Sequence, residues 1–459
     1  MIAALSRPTY GSPRLAVFLT LIVAILAGTL AALNRLPLVA ITAPLGLIAV
    51  LLIVRYPNLG VAALPMVGAA VPFRIETGSQ SPVVAALILA IVLIGLGLVR
   101  AIRTADWSPG AAVTWPAIAL MLVWVLALLW SGVDLDPLVT TWATYPLVQL
   151  GGAGVAVSSA GVLLLSMSAG RQGPWIQMAT WGLIACGALT LGAYFVGHQE
   201  EFAWLESGGL FTMWVVALSW GQALFNRDLP RFLRAALGLH ALAWALKAAV
   251  FQTSWFSGWV PTLVVLGIIL ILRSRWAFAA FAILAGGAAA LKFDLLYGII
   301  WGTAVEKGDL TRLDIWRQSL DLFVQHPILG TGPAGYAAYF QSTYAGSAFS
   351  MSTHSNFMDV LVETGVIGAA VFAWLLVVLL IVGWRARTRW RSGFHGAFAQ
   401  SAFAGLIGVI VAMGLGDWFI PFVYNQTIAG FRFTVHSWVF LGFLASLALT
   451  RPLPENNST

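Results

Sequence analysis

The polar and apolar parts of this chain meet in residues 354–391, which read HSNFMDVLVETGVIGAAVFAWLLVVLLIVGWRARTRWR. The first part carries histidine, asparagine, aspartate and glutamate, and it ends at Gly365. The second part is an apolar run long enough to cross the hydrocarbon core of a bilayer as a helix, and it closes on four arginines. This stretch predicts a membrane helix with a polar segment at one end and a cationic anchor at the other.

The composition of the whole chain is that of a membrane protein. Of its 459 residues, 60% are hydrophobic and 9% are charged, whereas a soluble domain carries about 25% charged residues. Lipid is therefore expected to be the solvent for most of the surface. The single Cys186 lies within an apolar run, which excludes a disulfide framework and a thiolate metal site.

Apolar runs of about 20 residues can cross a bilayer, and shorter ones can be broken or re-entrant. The runs predict an all-α polytopic membrane protein with about 14 transmembrane helices, within a range of 12–14. The first run is longer than a signal-peptide core and is expected to be retained as a helix. The runs are 15–33, 37–54, 59–73, 82–99, 111–130, 142–168, 175–197, 205–225, 235–251, 258–272, 276–293, 366–384, 397–415 and 433–450.

The positive charges predict the orientation of these helices, because cytoplasmic loops are enriched in Lys and Arg. With both termini in the cytoplasm, the inner loops hold most of the arginines, including those between Arg385 and Arg391. Asp134, Asp136 and Glu206 then fall on outer loops. The net charge of +7 is accordingly interpreted as a topology signal, with membrane lipid and no nucleic acid as the expected partner.

A long polar stretch divides the chain into three parts. Residues 1–293 are predicted to form a transmembrane bundle of about 11 helices, and residues 366–459 about 3 further transmembrane helices. Residues 294–365 form an extracytoplasmic loop in the predicted orientation. Groups able to do acid–base or anion chemistry gather in this loop, so function is sought there first.

Two helices are predicted within the loop, over residues 311–325 and from about residue 353 to Gly365. The first is expected to lie along the membrane surface on an apolar stripe. The Gly- and Tyr-rich stretch 330–349 between the helices is a candidate lid. The stripe consists of Leu313, Trp316, Leu320 and Phe323.

Three side chains of the loop suggest a chemistry. His354 can take a proton from a hydroxyl near neutral pH. Arg312 and Arg317 can bind phosphate oxygens with a bidentate fork. Together they fit attack by an alcohol on a lipid-diphosphate donor. Spacing alone leaves other roles open, namely a loop-capping histidine and arginines at the lipid headgroups.

Four short motifs follow one another in this region: an arginine and a tryptophan at positions 312 and 316, HPILGTG at 326–332, THSN at 353–356 and ETGVIG at 363–368. Their order resembles the O-antigen ligase and polymerase family, which consists of bacterial polytopic membrane glycosyltransferases of the GT-C type. The resemblance is specific over about residues 310–375 and only architectural elsewhere, and it implies a GT-C-like fold.

The resemblance implies inverting, metal-independent transfer of a glycan from an undecaprenyl-diphosphate carrier to an acceptor hydroxyl, at the outer face of the bacterial cytoplasmic membrane. It assigns His354 as the base and Arg312 to the diphosphate. Asn356 and Glu363 are further candidates for substrate contacts, and Asp359 competes as a base. Alternatively, Asn356 starts the helix or orients His354, and Glu363 has a structural role before Gly365 or acts as another base. No cofactor is expected. The motifs do not determine whether the acceptor is a glycan or a lipid-linked molecule, which sugars and linkage are involved, or the oligomeric state.

One position departs from the family pattern. Members usually carry a Ser-Arg pair upstream of the loop as a second diphosphate contact, and the corresponding place here reads Ser254-Trp255. Lys247, about two helical turns earlier, is a hypothetical replacement, because a charge within a membrane segment is usually functional. Alternatively this contact is absent.

The alternative function is a transporter or flippase of lipid-linked sugars, and a non-catalytic scaffold is a third possibility. A flippase would carry polar groups along a cavity on both halves of the bilayer. Here the polar chemistry clusters at one face, which favours the enzyme. The last outer loop, residues 417–432, is a further candidate for the substrate groove through Asp417, Tyr424 or Arg432.

Overall fold

The computed structural model describes most of the chain after the first 50 residues. The first predicted membrane run, most of the second, and Trp255 lie outside the described residues. The described residues are 51–77, 81–104, 112–171, 173–197, 209–251, 256–291, 293–294, 297–298, 312–343 and 352–450.

The described part is almost entirely helical. It contains fifteen helices, and the sheet in this part consists of two antiparallel two-residue strands, β1 (Arg74–Ile75) and β2 (Val83–Val84). The helices are α1 Pro57–Ala70, α2 Ala85–Thr104, α3 Thr114–Ser131, α4 Tyr145–Ala169, α5 Trp175–Val196, α6 Phe211–Phe225, α7 Arg231–Leu246, α8 Phe256–Arg273, α9 Arg275–Leu291, α10 Arg312–Gln325, α11 Gly335–Thr343, α12 Asn356–Arg389, α13 Gly393–Leu415, α14 Val423–Gln426 and α15 Phe431–Leu449.

The helices agree with the apolar runs of the sequence. Within the described residues, nine helices are long and apolar enough to cross a membrane, and three shorter apolar helices accompany them. From the third run onwards, each predicted run coincides with one of these helices. The all-α polytopic prediction is confirmed, while the count of 14 and the GT-C-like architecture stay predictions.

The centre of the bundle is formed by α6, α13 and α15, whose side chains are mostly buried. Some polar side chains there pair with each other within the bundle, where lipid offers no hydrogen-bonding partner. The Trp214 indole, for example, donates to Ser437 Oγ at 2.9 Å. Helix α9 lies at the periphery, where none of its residues is buried.

Helix α12 unites the second predicted loop helix with the membrane helix that follows it. Its 34 residues are interrupted at Gly365, where φ is 64° and ψ is −167°. Gly365 therefore ends the loop helix, as the sequence predicted, and the chain continues directly into the membrane helix.

The two glycine-rich motifs bind each other at this break. The Thr331 and Gly332 amides donate to the carbonyls of Val362 and Glu363 at 2.9 and 3.0 Å. In return, the Val366 amide donates to the Pro327 carbonyl at 2.8 Å. A side chain would not fit, because a Cβ at Gly330 would press into the backbone of residues 362–364. The motifs HPILGTG and ETGVIG thus form one interlocked joint.

The face of α10 that packs inside the protein coincides only in part with the predicted apolar stripe, through Trp316 and Phe323. The contact of the stripe with a membrane surface stays a prediction. Leu313 and Leu320 are exposed, while Ile315, Ser319 and Leu322 are buried. The buried face packs with Tyr336 and Phe340 of α11, Val362 of α12 and Phe422. Helical periodicity alone does not determine which of two neighbouring faces of α10 is buried, and contacts with α11 and α12 decide it here.

The part of the candidate lid that the structure describes is also packed rather than open. In α11, Tyr336, Ala337 and Ala338 are at most 2% exposed. The segment is held between α10 and the loop after α3, where Thr140 donates its amide to Ser342 Oγ at 2.9 Å.

Replacement of Gly365 by alanine is expected to lower the free energy of unfolding by about 2 kcal/mol or more, because its backbone conformation is essentially restricted to glycine. Thermal or denaturant unfolding of the purified protein in detergent would measure this. Gly414→Ala is the matched control, since a Cβ there meets nothing within 4 Å. Equal stability of the two variants would contradict the interlocked joint.

Candidate functional site

A hydrogen bond connects the first motif to the histidine motif. The Trp316 indole N–H donates to the Thr353 carbonyl at 3.1 Å. Arg312 lies one helical turn before Trp316 on α10, and His354 follows Thr353 directly. The structure therefore brings the segments of the two principal predicted residues together.

His354 is half-buried and has an unusual backbone. Its φ of 53° lies in the left-handed region, which costs a non-glycine residue about 1 kcal/mol or more. Its amide donates to Ser352 Oγ at 3.2 Å, and its Nδ1 lies 3.4 Å from the same oxygen. The neighbouring Thr353 and Ser355 are buried. The half-buried imidazole ring is thus flanked by a frame of buried residues, Ser352, Thr353 and Ser355.

Asp359 organises this frame from one turn inside α12. Its Oδ1 accepts hydrogen bonds from the Thr353 amide at 3.2 Å and from the Thr353 hydroxyl at 2.7 Å. Thr353 Oγ1 in turn accepts from the Ser355 amide at 3.2 Å. Asp359 is 4% exposed, and its Oδ2 has no hydrogen-bond partner among the described residues.

Arg312 lies at the C-terminal end of α13. Its Nη1 donates to the Leu415 carbonyl at 3.1 Å, a favourable place for a cation because carbonyls at a helix C-terminus carry partial negative charge. Burial lowers the pKa of Arg312 from its ordinary value, and the charge of Asp417 opposes this effect. Its Nε is buried and meets no acceptor in the part of the chain that the structure describes. The guanidinium therefore has donor capacity left for an anion.

Asp417 completes the charged cluster from the loop after α13. The residue is 3% exposed, and burial raises the pKa of its carboxyl to about 6. Backbone amides, Gln426 and Arg312 act in the opposite direction. The Phe422 amide reaches its Oδ2 at 3.4 Å. Asp417 and Asp359 are close enough for their charges to interact. The sequence offered only the position of Asp417 in an outer loop; its partners come from the packing of that loop.

Asn356 holds this loop against the start of α12. Its Oδ1 accepts from the Phe419 and Ile420 amides at 2.9 and 3.2 Å, and its Nδ2 donates to the Ile420 carbonyl at 2.6 Å. The residue is 1% exposed. These contacts support a positioning role, and none of them supports the predicted substrate contact.

Glu363 and Arg317 occupy opposite environments. Glu363 is buried one turn beyond Asp359 on α12, where the Asp359 charge acts on it. Its Oε1 has no hydrogen-bond partner among the described residues. Arg317 is largely exposed, and its Nη1 lies 3.7 Å from Asp314 Oδ1. The substrate contacts of both residues remain predictions.

Lys247 lies on a different element from this cluster. It begins the π-helical turn Lys247–Phe251 that follows α7, and it is 6% exposed. Its Nζ lies 4.7 Å from the ring centroid of Trp244 and 5.4 Å from that of Tyr194. A cation held by aromatic faces inside a membrane span is costly to place and is usually functional, and π-turns are frequent at functional sites.

His326 contributes to packing beside the site. Its Nδ1 lies 3.0 Å from Asp134 Oδ2, and its ring meets that of Tyr339 edge-on at 5.1 Å. Within the described residues, no group of three or more His, Cys, Asp or Glu side chains is arranged to hold a metal ion.

Asn356→Ala is expected to destabilise the protein by about 1–3 kcal/mol, because it leaves buried amides of Phe419 and Ile420 unpaired. Hydrogen–deuterium exchange should rise in residues 416–423. Gln325→Ala is the control, since this amide is exposed and donates within its own helix, to the Asp321 carbonyl. Unchanged exchange in residues 416–423 would refute the anchoring role.

Comparison with known proteins agrees with the motifs. No curated protein matches the chain. Residues 240–373 match the family model described as O-antigen ligase. This segment includes Lys247, Arg312 and His354 as well as the joint between the glycine-rich motifs. The match supports assignment of residues 240–373 to the O-antigen ligase/polymerase family, in agreement with the multi-pass helical architecture.

Proposed function

We propose that this protein is a membrane glycosyltransferase that moves a glycan from an undecaprenyl-diphosphate carrier to an acceptor hydroxyl. The observation that supports this most directly is the hydrogen bond from Trp316 to Thr353. It joins the helix that carries a guanidinium with available donors to the segment that carries a half-buried imidazole. This transfer needs a cation for the leaving diphosphate and a base for the acceptor.

In the proposed reaction, His354 accepts the proton of the acceptor hydroxyl as its oxygen attacks the anomeric carbon of the donor glycan. A new bond forms between that oxygen and the anomeric carbon, and the bond from the carbon to the phosphate oxygen breaks. The lipid diphosphate leaves with the electron pair. Attack from the face opposite the leaving group inverts the anomeric configuration, as the family resemblance implies.

Arg312 is proposed to stabilise the charge that develops on the departing diphosphate. A fixed cation in a partly desolvated place acts more strongly than the same cation in water. Its anchoring at the Leu415 carbonyl holds the guanidinium in place before the donor arrives. Asp417 supports the charged state of Arg312, and the diphosphate would act in the same direction.

The proposed orientation places this cluster on the periplasmic or extracellular side of a bacterial cytoplasmic membrane. The arginines of α12 support it, because they lie at the opposite end of that helix from Gly365. Arg389 Nη1 donates to the Ala448 carbonyl at 2.6 Å, so the end of α15 lies at the same cationic side. Lys and Arg are enriched on the cytoplasmic side of membrane proteins.

One observation favours the alternative of a transporter for lipid-linked sugars. Lys247 is buried within the membrane span Arg231–Val250, where a charge can bind a moving substrate. Reconstitution with a fluorescent lipid-linked oligosaccharide separates the two functions. An enzyme releases undecaprenyl diphosphate and lengthens or transfers the glycan, whereas a transporter moves the intact donor between leaflets.

In this reconstituted assay, His354→Ala is expected to reduce kcat by about 100-fold to 10,000-fold, the usual contribution of a general base. His326→Ala should stay within a few-fold of wild type, because His326 contacts Asp134 and Tyr339 rather than the proposed reacting groups. Transfer by the His354 variant at the wild-type rate would remove the base assignment.

Arg312→Ala is expected to reduce kcat/KM for the lipid-linked donor by about 100-fold to 1,000-fold, the effect of losing one donor to a developing oxyanion. Arg74 provides the control, since it is exposed and pairs with Glu76, and Arg74→Ala should have a much smaller effect. Lys247→Ala should weaken donor binding if this lysine replaces the family arginine. Unchanged donor affinity in Lys247→Ala would reject the role of Lys247. An Arg312 variant no worse than the Arg74 variant would reject the role of Arg312.

A further inference from the structure

We infer that Asp359 is a positioning residue for His354: its carboxylate fixes the backbone on both sides of the histidine and so aims the imidazole at the acceptor. This inference rests on the proposed function, in which His354 is the base. It concerns how the ring is held, which the sequence motif does not determine.

The inference starts from the peptide amides around His354. The Thr353 amide donates to Asp359 Oδ1, and the His354 amide donates to Ser352 Oγ. The Ser355 amide donates to Thr353 Oγ1, whose hydroxyl lies 2.7 Å from the same Asp359 oxygen. Two of the three amides are therefore fixed, directly or through one hydroxyl, by a single carboxylate oxygen.

The carbonyl that precedes His354 is held from the other side. It belongs to Thr353 and accepts the indole N–H of Trp316. Asp359 and Trp316 thus hold Thr353 between them, and His354 follows with a φ of 53°. A non-glycine residue in the left-handed region needs such contacts, because without them the backbone would relax to a more favourable conformation.

The environment of Asp359 argues against a role in stability alone. Its Oδ2 is buried without a hydrogen-bond partner among the described residues, and Asp417 and Glu363 place further carboxyls nearby. A buried carboxyl in such surroundings destabilises a fold relative to a neutral side chain of the same shape. A residue kept there at that cost is better explained by the geometry it imposes on His354.

Helix capping is the competing explanation, and the bonding pattern distinguishes it. In a capping box, the side chain at the third helical position returns to the amide of the N-cap residue. The N-cap of α12 is Ser355. Asp359 is the fourth helical residue, and it bonds the amide of Thr353 instead. The carboxylate therefore reaches past the helix end to the segment that precedes His354.

The test combines turnover with a spectroscopic view of the ring. Asp359→Asn retains an Oδ1 acceptor for Thr353 and should keep kcat within about threefold of wild type. Asp359→Ala removes the acceptor and should lower kcat by about 100-fold with an unchanged KM for the lipid-linked donor, since small misplacements of a catalytic group have effects of this size. Its pH profile should keep the wild-type shape. Asp321→Ala, at an exposed position of α10, is the matched control.

Thr353→Val supplies a second, independent removal of the same link. Its loss of kcat should not add to that of Asp359→Ala in the double variant, because both changes break one network. Full additivity, an Asn variant as impaired as the Ala variant, or a loss expressed in donor KM would each overturn the positioning role.

A nitrogen-15 histidine spectrum of the protein in nanodiscs reads the ring without turnover. The signal of His354 among the six histidines is identified by its loss in His354→Gln. It should be single in wild type and Asp359→Asn, and split or broadened in Asp359→Ala. An unchanged signal in Asp359→Ala would refute the inference. If wild type transferred no glycan, the proposed function would fail, and this spectrum would still decide whether Asp359 positions the ring.

Discussion

Four backbone hydrogen bonds between residues 327–332 and 362–367 attach the polar loop of this protein to its membrane bundle. They need no side chains, and they form because Gly330 and Gly365 let the two segments approach closely. Helix α10 leads into one side of this joint, and the helix that carries Asp359 leads into the other. The relative placement of Arg312 and His354 therefore depends on a contact in which neither residue takes part.

A concentration of buried charge follows from this arrangement. Arg312, Asp359, Glu363 and Asp417 come from three separate segments and meet at one end of the bundle, with only one guanidinium among three carboxyls. Such a cluster reduces stability unless its members are well paired. The orphaned oxygens of Asp359 and Glu363 show that pairing among the described residues is incomplete. Perturbed, buried titratable groups of this kind concentrate at functional sites, in agreement with the proposed glycosyl transfer.

Hydrogen bonds within the protein fix the segment around His354, whereas Arg312 keeps an N–H available for the proposed donor. The buried side chains of Ser352, Thr353 and Asp359 hold the segment around His354. Asn356 holds the neighbouring loop through three hydrogen bonds. The guanidinium of Arg312, in contrast, has an unused buried N–H among the described contacts. A preorganised base beside a cation with donors to spare is an arrangement that can stabilise the transition state more than the bound substrate.

The sequence by itself determined the membrane-spanning helices, because hydropathy and glycine chemistry are local properties. The runs from residue 59 onwards, the end of the loop helix at Gly365 and the candidacy of Arg312 and His354 all follow from residues close together in the chain. The tertiary structure alone decided which face of α10 is buried, that Asn356 clamps residues 419–420, and that Asp417 faces Arg312. These depend on segments up to about a hundred residues apart, as in the bond from Arg312 to Leu415. No local pattern records such a contact, since it arises only when the bundle has brought the ends of its helices together.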